Sequence, residues 1–137
     1  MAKVRLTFYS GRATITARKL VRPSVARTTR RTLNGSAVKC PVDTGNLRAS
    51  GEMSINSGPR AVTGEVVYRA KYAAAVHNGR KALTIRPTRA NGRLRFVVDG
   101  RVVFAREVHQ PARPGNPFLT DALREVGAAD GFVVTTR

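Results

Sequence analysis

Pro41-Val42-Asp43-Thr44-Gly45-Asn46-Leu47-Arg48-Ala49-Ser50 reads as the place where one helix stops and a short capped turn begins. Pro41 pushes Cys40 out of the α region and cannot donate into a helix interior. Asp43 has the side chain of an N-cap, with a carboxylate able to accept the free amide of Asn46. Val42 and Leu47 are spaced as a hydrophobic staple across that cap. Gly51 comes next, where a left-handed backbone suits glycine and ends the turn. The stretch predicts a junction between a long helix and a sheet.

Upstream, Val4, Leu6 and Phe8 alternate with polar residues, a strand pattern. Ser10 and Gly11 end it, and Ser10 can cap the next helix. From Arg12 to Lys39 a helix is expected, with Pro23 as its start or a kink and Asn34-Gly35 weakening its end. Val21, Val25, Thr28, Thr32, Ser36 and Cys40 recur at helical spacing as a narrow stripe of small side chains. Arg27, Arg30 and Arg31 lie on the opposite face.

Downstream, Glu52 to Ser57 and Ala61 to Arg69 read as strands joined by a Gly58-Pro59 turn. Ala70 to His77 reads as a short helix stopped by Asn78-Gly79, with a strand extension over Tyr72 to Val76 as the alternative, and Ala82 to Arg86 as a strand ended by Pro87. Arg93 to Val98 and Arg101 to Arg106 flank Asp99-Gly100, the dipeptide a two-residue type I′ hairpin prefers. That register puts Leu94 and Phe96 with Val103 and Ala105 on one face, expected to be core. Val97, Val102 and Phe104 share the other, rimmed by Arg93, Arg95 and Arg106. This second face is either a surface to be covered by a partner or the seat of a packed helix. Val108 to Pro117 reads as a loop. Asn116 as cap, Pro117 as first residue and the stripe Leu119, Ala122, Leu123 and Val126 predict a helix ending at Gly127. Phe132 to Thr135 is either a last strand or a tail.

The 137 residues fit a single domain, with residues 1–10 and 128–137 as extended or flexible ends. There is no apolar run long enough to span a membrane and no secretory h-region. The excess of 25 Lys and Arg over 8 Asp and Glu gives a net charge of +17. No acidic residue precedes Asp43. Such a surface suits nucleic acid or an acidic protein.

The sequence offers little catalytic chemistry. His77, His109 and Cys40 match no zinc-ligand spacing. Asp43 and Asp99 are explained by cap and turn, while Asp121, Glu125 and Asp130 lie in or near the last helix. No glycine-rich phosphate loop occurs. Tyr9, Tyr68, Tyr72 and the phenylalanines can stack on bases, but no zinc-finger, KH or RRM signature is present. Tyr72, among alanines, is expected in the core. No enzyme activity and no cofactor are expected.

Three segments in fixed order carry more information together than singly. They are the stretch quoted at the outset, then Tyr72-Ala73-Ala74-Ala75-Val76-His77-Asn78-Gly79, then Arg113-Pro114-Gly115-Asn116-Pro117-Phe118-Leu119 with Ala122-Leu123. This pattern resembles the tail-completion or head–tail connector family of long-tailed bacteriophages, small neck proteins also known as minor tail or morphogenesis proteins. The chain departs from the family at His77, where an acidic residue is common. Pro41, Asp43, Thr44, Gly45, Leu47 and Ser50 carry the most specific part of the likeness.

The resemblance implies a virion structural protein, made in the host cytoplasm, that forms a ring of about six copies at the joint of tail and head connector. Its expected partners are copies of itself, the connector or stopper, and the tail terminator or tail tube, with genome DNA in the lumen. A ring needs two different sticky faces per subunit. The hairpin face (Arg93, Arg95, Val97, Val102, Phe104, Arg106) and Arg113 in the proline-rich loop are candidate contacts, as is the small-residue helix stripe. Arg27, Arg30 and Arg31 are candidates for DNA or an acidic partner. The expected fold is α+β, a mostly antiparallel sheet packed by a long N-terminal and a short C-terminal helix. The alternative function is a free-standing basic nucleic-acid-binding module.

Overall fold

The structure is a computed structural model that describes residues 2–9, 15–59 and 61–131. Ser10, Gly11 and the Phe132–Thr135 segment lie outside the described residues. The chain is α+β. Strands β1 (Ala2–Tyr9), β2 (Gly51–Ser57) and β3 (Ala61–Tyr68) form an antiparallel sheet in the order β1-β3-β2. Gly58 N–H closes the β2–β3 turn on the Ala61 carbonyl at 2.8 Å. Helix α1 (Ile15–Lys39) lies across β2 and β3, and helix α4 (Phe118–Ala129) packs along α1 and reaches β1.

Burial on β3 alternates strictly. Val62, Gly64, Val66 and Tyr68 are buried, and the residues between them are half-exposed. The buried row meets the stripe of α1: Val25, Thr28, Thr29, Thr32 and Ser36 are all inaccessible. Hydroxyls tolerate this burial because the helix itself accepts their protons. Thr29 donates to the Val25 carbonyl at 2.7 Å, Thr32 to Thr28 at 2.9 Å and Ser36 to Leu33 at 2.8 Å. Gly64 makes the close approach possible, since a Cβ there would stand 1.9 Å from Thr29 Oγ1. The small-residue stripe is therefore the chain's own helix–sheet contact. It is not free to serve as a face between subunits.

Tyr68 anchors the core. Its ring meets Phe118 edge-on at 5.1 Å, and its hydroxyl lies 2.7 Å from Ser36 Oγ. Ser36 already gives its proton to Leu33, so Tyr68 is the donor of that pair. Burial raises the Tyr68 pKa, which keeps the phenol protonated as a donor must be.

The helix ends differ from expectation. Pro23 lies inside α1, just before the stripe that packs on the sheet begins. The helix runs on through Asn34-Gly35 to Lys39, and Gly35 lies where α4 passes, with its Cβ position 3.6 Å from Ala122. The short helix α2 (Asn46–Ala49) has no side-chain cap: Gly45, at φ 81°, precedes it instead of Asp43. Val42 is exposed, so no staple forms with the buried Leu47. Gly51 is a strand residue with no left-handed backbone. It is small because a Cβ would come within 3.1 Å of the Tyr68 ring and 3.0 Å of Leu33. Gly127 is buried within α4, which continues to Ala129.

The outer face of the sheet carries an ionic cluster. Glu65 on β3 pairs with Lys3 at 2.7 Å and with Arg5, its cross-strand neighbour, at 3.3 Å. The Lys3 hydrogen bond, aided by Arg5, holds the Glu65 carboxyl below its ordinary value against a partial desolvation that raises it. A lowered folded-state pKa stabilises the fold above the unfolded value, and the contribution fades as pH falls through the folded value. Glu65→Gln should thus cost about 1 kcal/mol or less near neutrality and nothing well below pH 4.5. Urea midpoints of both proteins across that range check this, and a gap that stays constant with pH would contradict it.

Candidate interaction site

Residues 79–115 form a doubled-back arm built of three strand pairs. Strands β4 (Gly79–Arg80) and β9 (Arg113–Pro114) pair at its base, and β5 (Leu83–Ile85) and β8 (Val108–Gln110) continue in the same register. Residues 81–82 face 111–112 without pairing, where Pro111 has no N–H to give. Residues 86–93 then bulge out opposite residues 106–107. Pairing resumes in β6 (Leu94–Val98) and β7 (Arg101–Ala105). The segment from Val108 to Pro117 is thus largely the returning side of the arm, and not a loop.

At the tip, Asp99 (φ 49°) and Gly100 (φ 76°) both have left-handed backbones, as a type I′ turn demands. The pairing is the one the dipeptide implies, with Val97 opposite Val102 and Arg95 opposite Phe104. Neither face of this two-stranded ribbon is core. Leu94, Phe96 and Ala105 are half-buried and Val103 is exposed, because the main sheet and its helices build the core without them. On the second face Val97 is 61% exposed and Phe104 57%, with Val102 beside them. Arg93, Arg95 and Arg106 are exposed at its border. Among the described residues no helix covers this strip.

Below the strip, Arg86, Arg89, Arg93 and Arg106 line an open cavity of about 500 Å³ with Pro87, Ala90, Asn91 and Gly92. Glu107 is not among the lining residues and has partners of its own: Arg86 Nε donates to Glu107 at 3.0 Å, and His109 lies 2.8 Å from the other carboxylate oxygen. The Arg86 bond, then that of His109, lowers the Glu107 pKa.

The base of the arm is a crossing of two glycines. A Cβ on Gly79 would stand 2.5 Å from the Gly115 nitrogen, and one on Gly115 would stand 2.5 Å from the Asn78 carbonyl carbon. Helix α3 (Ala73–Asn78) leads into this crossing, and the Asn116 N–H returns to the Val76 carbonyl at 2.9 Å. His77 packs edge-on against Phe118 and lies 3.1 Å from Thr120 Oγ1. Ser50 ties in the third segment: its hydroxyl donates to the Leu47 carbonyl at 2.7 Å and accepts the Ala70 N–H at 3.3 Å. The three sequence segments, far apart along the chain, therefore meet in one place. A cleft of about 350 Å³ opens there between Pro41, Asp43, Thr44, Gly45, Tyr72 and Arg113.

No family model, no curated protein and no solved structure matches the chain. What it can do must be read from its own surfaces.

Those surfaces sort the expected site residues into three places. Arg95, Val97, Val102 and Phe104 share one face of the arm, while Arg93 and Arg106, just beyond the paired residues, line the cavity next to it. Arg113 does not join them, since it stands at the arm's base in the cleft. Tyr72, expected in the core, is 47% exposed on the cleft wall. On α1, Arg27 and Arg30 are exposed. Arg31 is exposed too but has a partner within the chain: it pairs with Asp130, the residue that follows α4 and also accepts the Thr28 hydroxyl at 2.5 Å. Arg86 and Arg89 are not apparent as site residues in the sequence, because Arg86 reads as the last residue of a strand ended by Pro87 and Arg89 as part of the polar loop Thr88 to Gly92.

The side chains with metal-ligating chemistry are dispersed. Cys40 is buried at the end of α1, where burial raises its thiol pKa. Among the described residues no three His, Cys, Asp or Glu side chains are grouped to hold a metal ion.

Proposed function

We propose that this chain is a virion structural protein that forms a ring at the phage neck, completes the tail and joins it to the head connector. The carrying observation is an arm with an exposed apolar strip, rooted where the three resembling segments converge. A protruding two-stranded ribbon bearing Val97, Val102 and Phe104 gains stability when a protein surface covers it. A ring supplies such a surface on the next subunit or on the adjoining layer. The reading gives the protein no reaction to catalyse, and its partners are neck proteins and further copies of itself.

Infections lacking this chain should yield heads and tails that fail to join. Normally joined, infectious particles from such infections would refute the proposal. The arginine-lined cavity favours one other reading, a free-standing basic module that binds nucleic acid as a monomer. That reading calls for stable monomers in solution and no place in the purified virion.

A further inference from the structure

We propose that the cavity formed by Arg86, Arg89, Arg93 and Arg106 binds backbone phosphates of duplex DNA. Four arginines line it, and the carboxylate nearest to them in the chain, Glu107, is already held by Arg86 and His109. Arg89, Arg93 and Arg106 make no ion pair among the described residues. Like charges gathered this way repel one another, and an anion in the cavity relieves the repulsion. The wider arm has the same bias: residues 79–115 contain nine Lys and Arg against two Asp and Glu.

The lining distinguishes phosphate from an acidic protein. Pro87, Ala90, Asn91 and Gly92 supply no large apolar side chain. Stable protein interfaces centre on aromatic or large aliphatic anchors. The arm has such anchors, but on the neighbouring strip of Val97, Val102 and Phe104. The arginine fork matches the oxygen pair of a phosphate. The division is thus an apolar strip for protein and an arginine cavity for DNA. In a neck ring that DNA is the genome, so the biological role rests on the proposed function. The binding itself is measured on the isolated full chain, and its failure leaves the neck proposal standing.

The test is fluorescence anisotropy of a labelled mixed-sequence duplex of about 20 base pairs, titrated at salt from about 0.05 to 0.3 M. The variant Arg89→Gln/Arg93→Gln/Arg106→Gln is compared with Lys19→Gln/Arg22→Gln/Lys71→Gln, which removes the same charge elsewhere. All six positions are exposed. Circular dichroism confirms that both variants remain folded. The arm variant should lose at least about tenfold in affinity near 0.15 M salt, with the log–log salt slope smaller by about three. The control should lose less than about threefold. Equal losses in the two variants would overturn the proposal, leaving net charge as the cause. So would arm-dependent capture of polyglutamate with no duplex binding, which assigns the cavity to an acidic protein. Inorganic phosphate should displace the duplex no better than chloride of equal ionic strength. Displacement at far lower concentration marks a small-anion site and also overturns the proposal.

Discussion

Phe104→Asp should leave the subunit folded and abolish its assembly. Phe104 is 57% exposed on a ribbon that no helix among the described residues covers, so its loss removes little packing within the chain. Exposed substitutions of this kind change stability by about 0.5 kcal/mol or less. The new carboxylate would also face Arg95 across the strand pair, a favourable partner. An aromatic anchor at the centre of an interface is another matter. Its truncation there typically costs about 2 kcal/mol or more per contact, and a ring repeats the loss at every joint. The urea midpoint of the isolated variant should match that of the parent, while its oligomers and its incorporation into particles disappear. Unfolding of the isolated variant would instead make Phe104 part of the core.

Gly79→Ala should be the most damaging small substitution in the chain. Gly79 sits at φ 79° and ψ −179°, a region that essentially excludes residues with a Cβ. The added carbon would also press on backbone, 2.5 Å from the Gly115 nitrogen and 2.6 Å from the Arg113 carbonyl oxygen. Backbone atoms in a crossing cannot swing aside as a flexible side chain does. The displaced Gly115 leads directly to Phe118 and Leu119, both fully buried. A loss of about 3 kcal/mol or more is expected from strain and disrupted packing together. Gly100→Ala provides the comparison, for it has a similar φ of 76° but nothing within 4 Å. It should cost about 1 kcal/mol, the left-handed strain alone. Equilibrium urea unfolding of both variants measures the difference. Comparable losses would mean that the crossing at the arm's base is not tight.

Local chemistry made some of this legible. Asp99-Gly100 carries its turn type in its composition, and the hairpin register followed from it. The apolar stripe of α4, the alternation of β1 and the β-forming residues of β3 are likewise visible within short windows. What stayed hidden depends on backbones meeting across the fold. Gly64 is small because Thr29 lies on it, and Gly51 because Tyr68 and Leu33 do. Neither reason can be seen in the neighbouring residues. Asp43 looked like a cap because its type suits one, but Gly45 at φ 81° starts the turn without it.

The arm shows the same limit for the candidate site. Its returning side holds Pro111, Pro114 and Gly115, which reads as a loop. Yet Pro114 lies at the end of a two-residue edge pairing, a place where proline is tolerated. The excursion 86–93 separates residues that pair in one continuous register from those that resume beyond it. Without that pairing, Arg86 and Arg89 have no visible relation to Arg106.

An electron-microscopy map of the neck of purified virions tests the central proposal most directly. It should contain a closed ring of copies of this fold between tail tube and head connector. Val97, Val102 and Phe104 should be covered there by protein from a neighbouring subunit or layer. A fully interpreted neck without this chain, or a ring in which the arm's apolar strip faces open solvent, would contradict it.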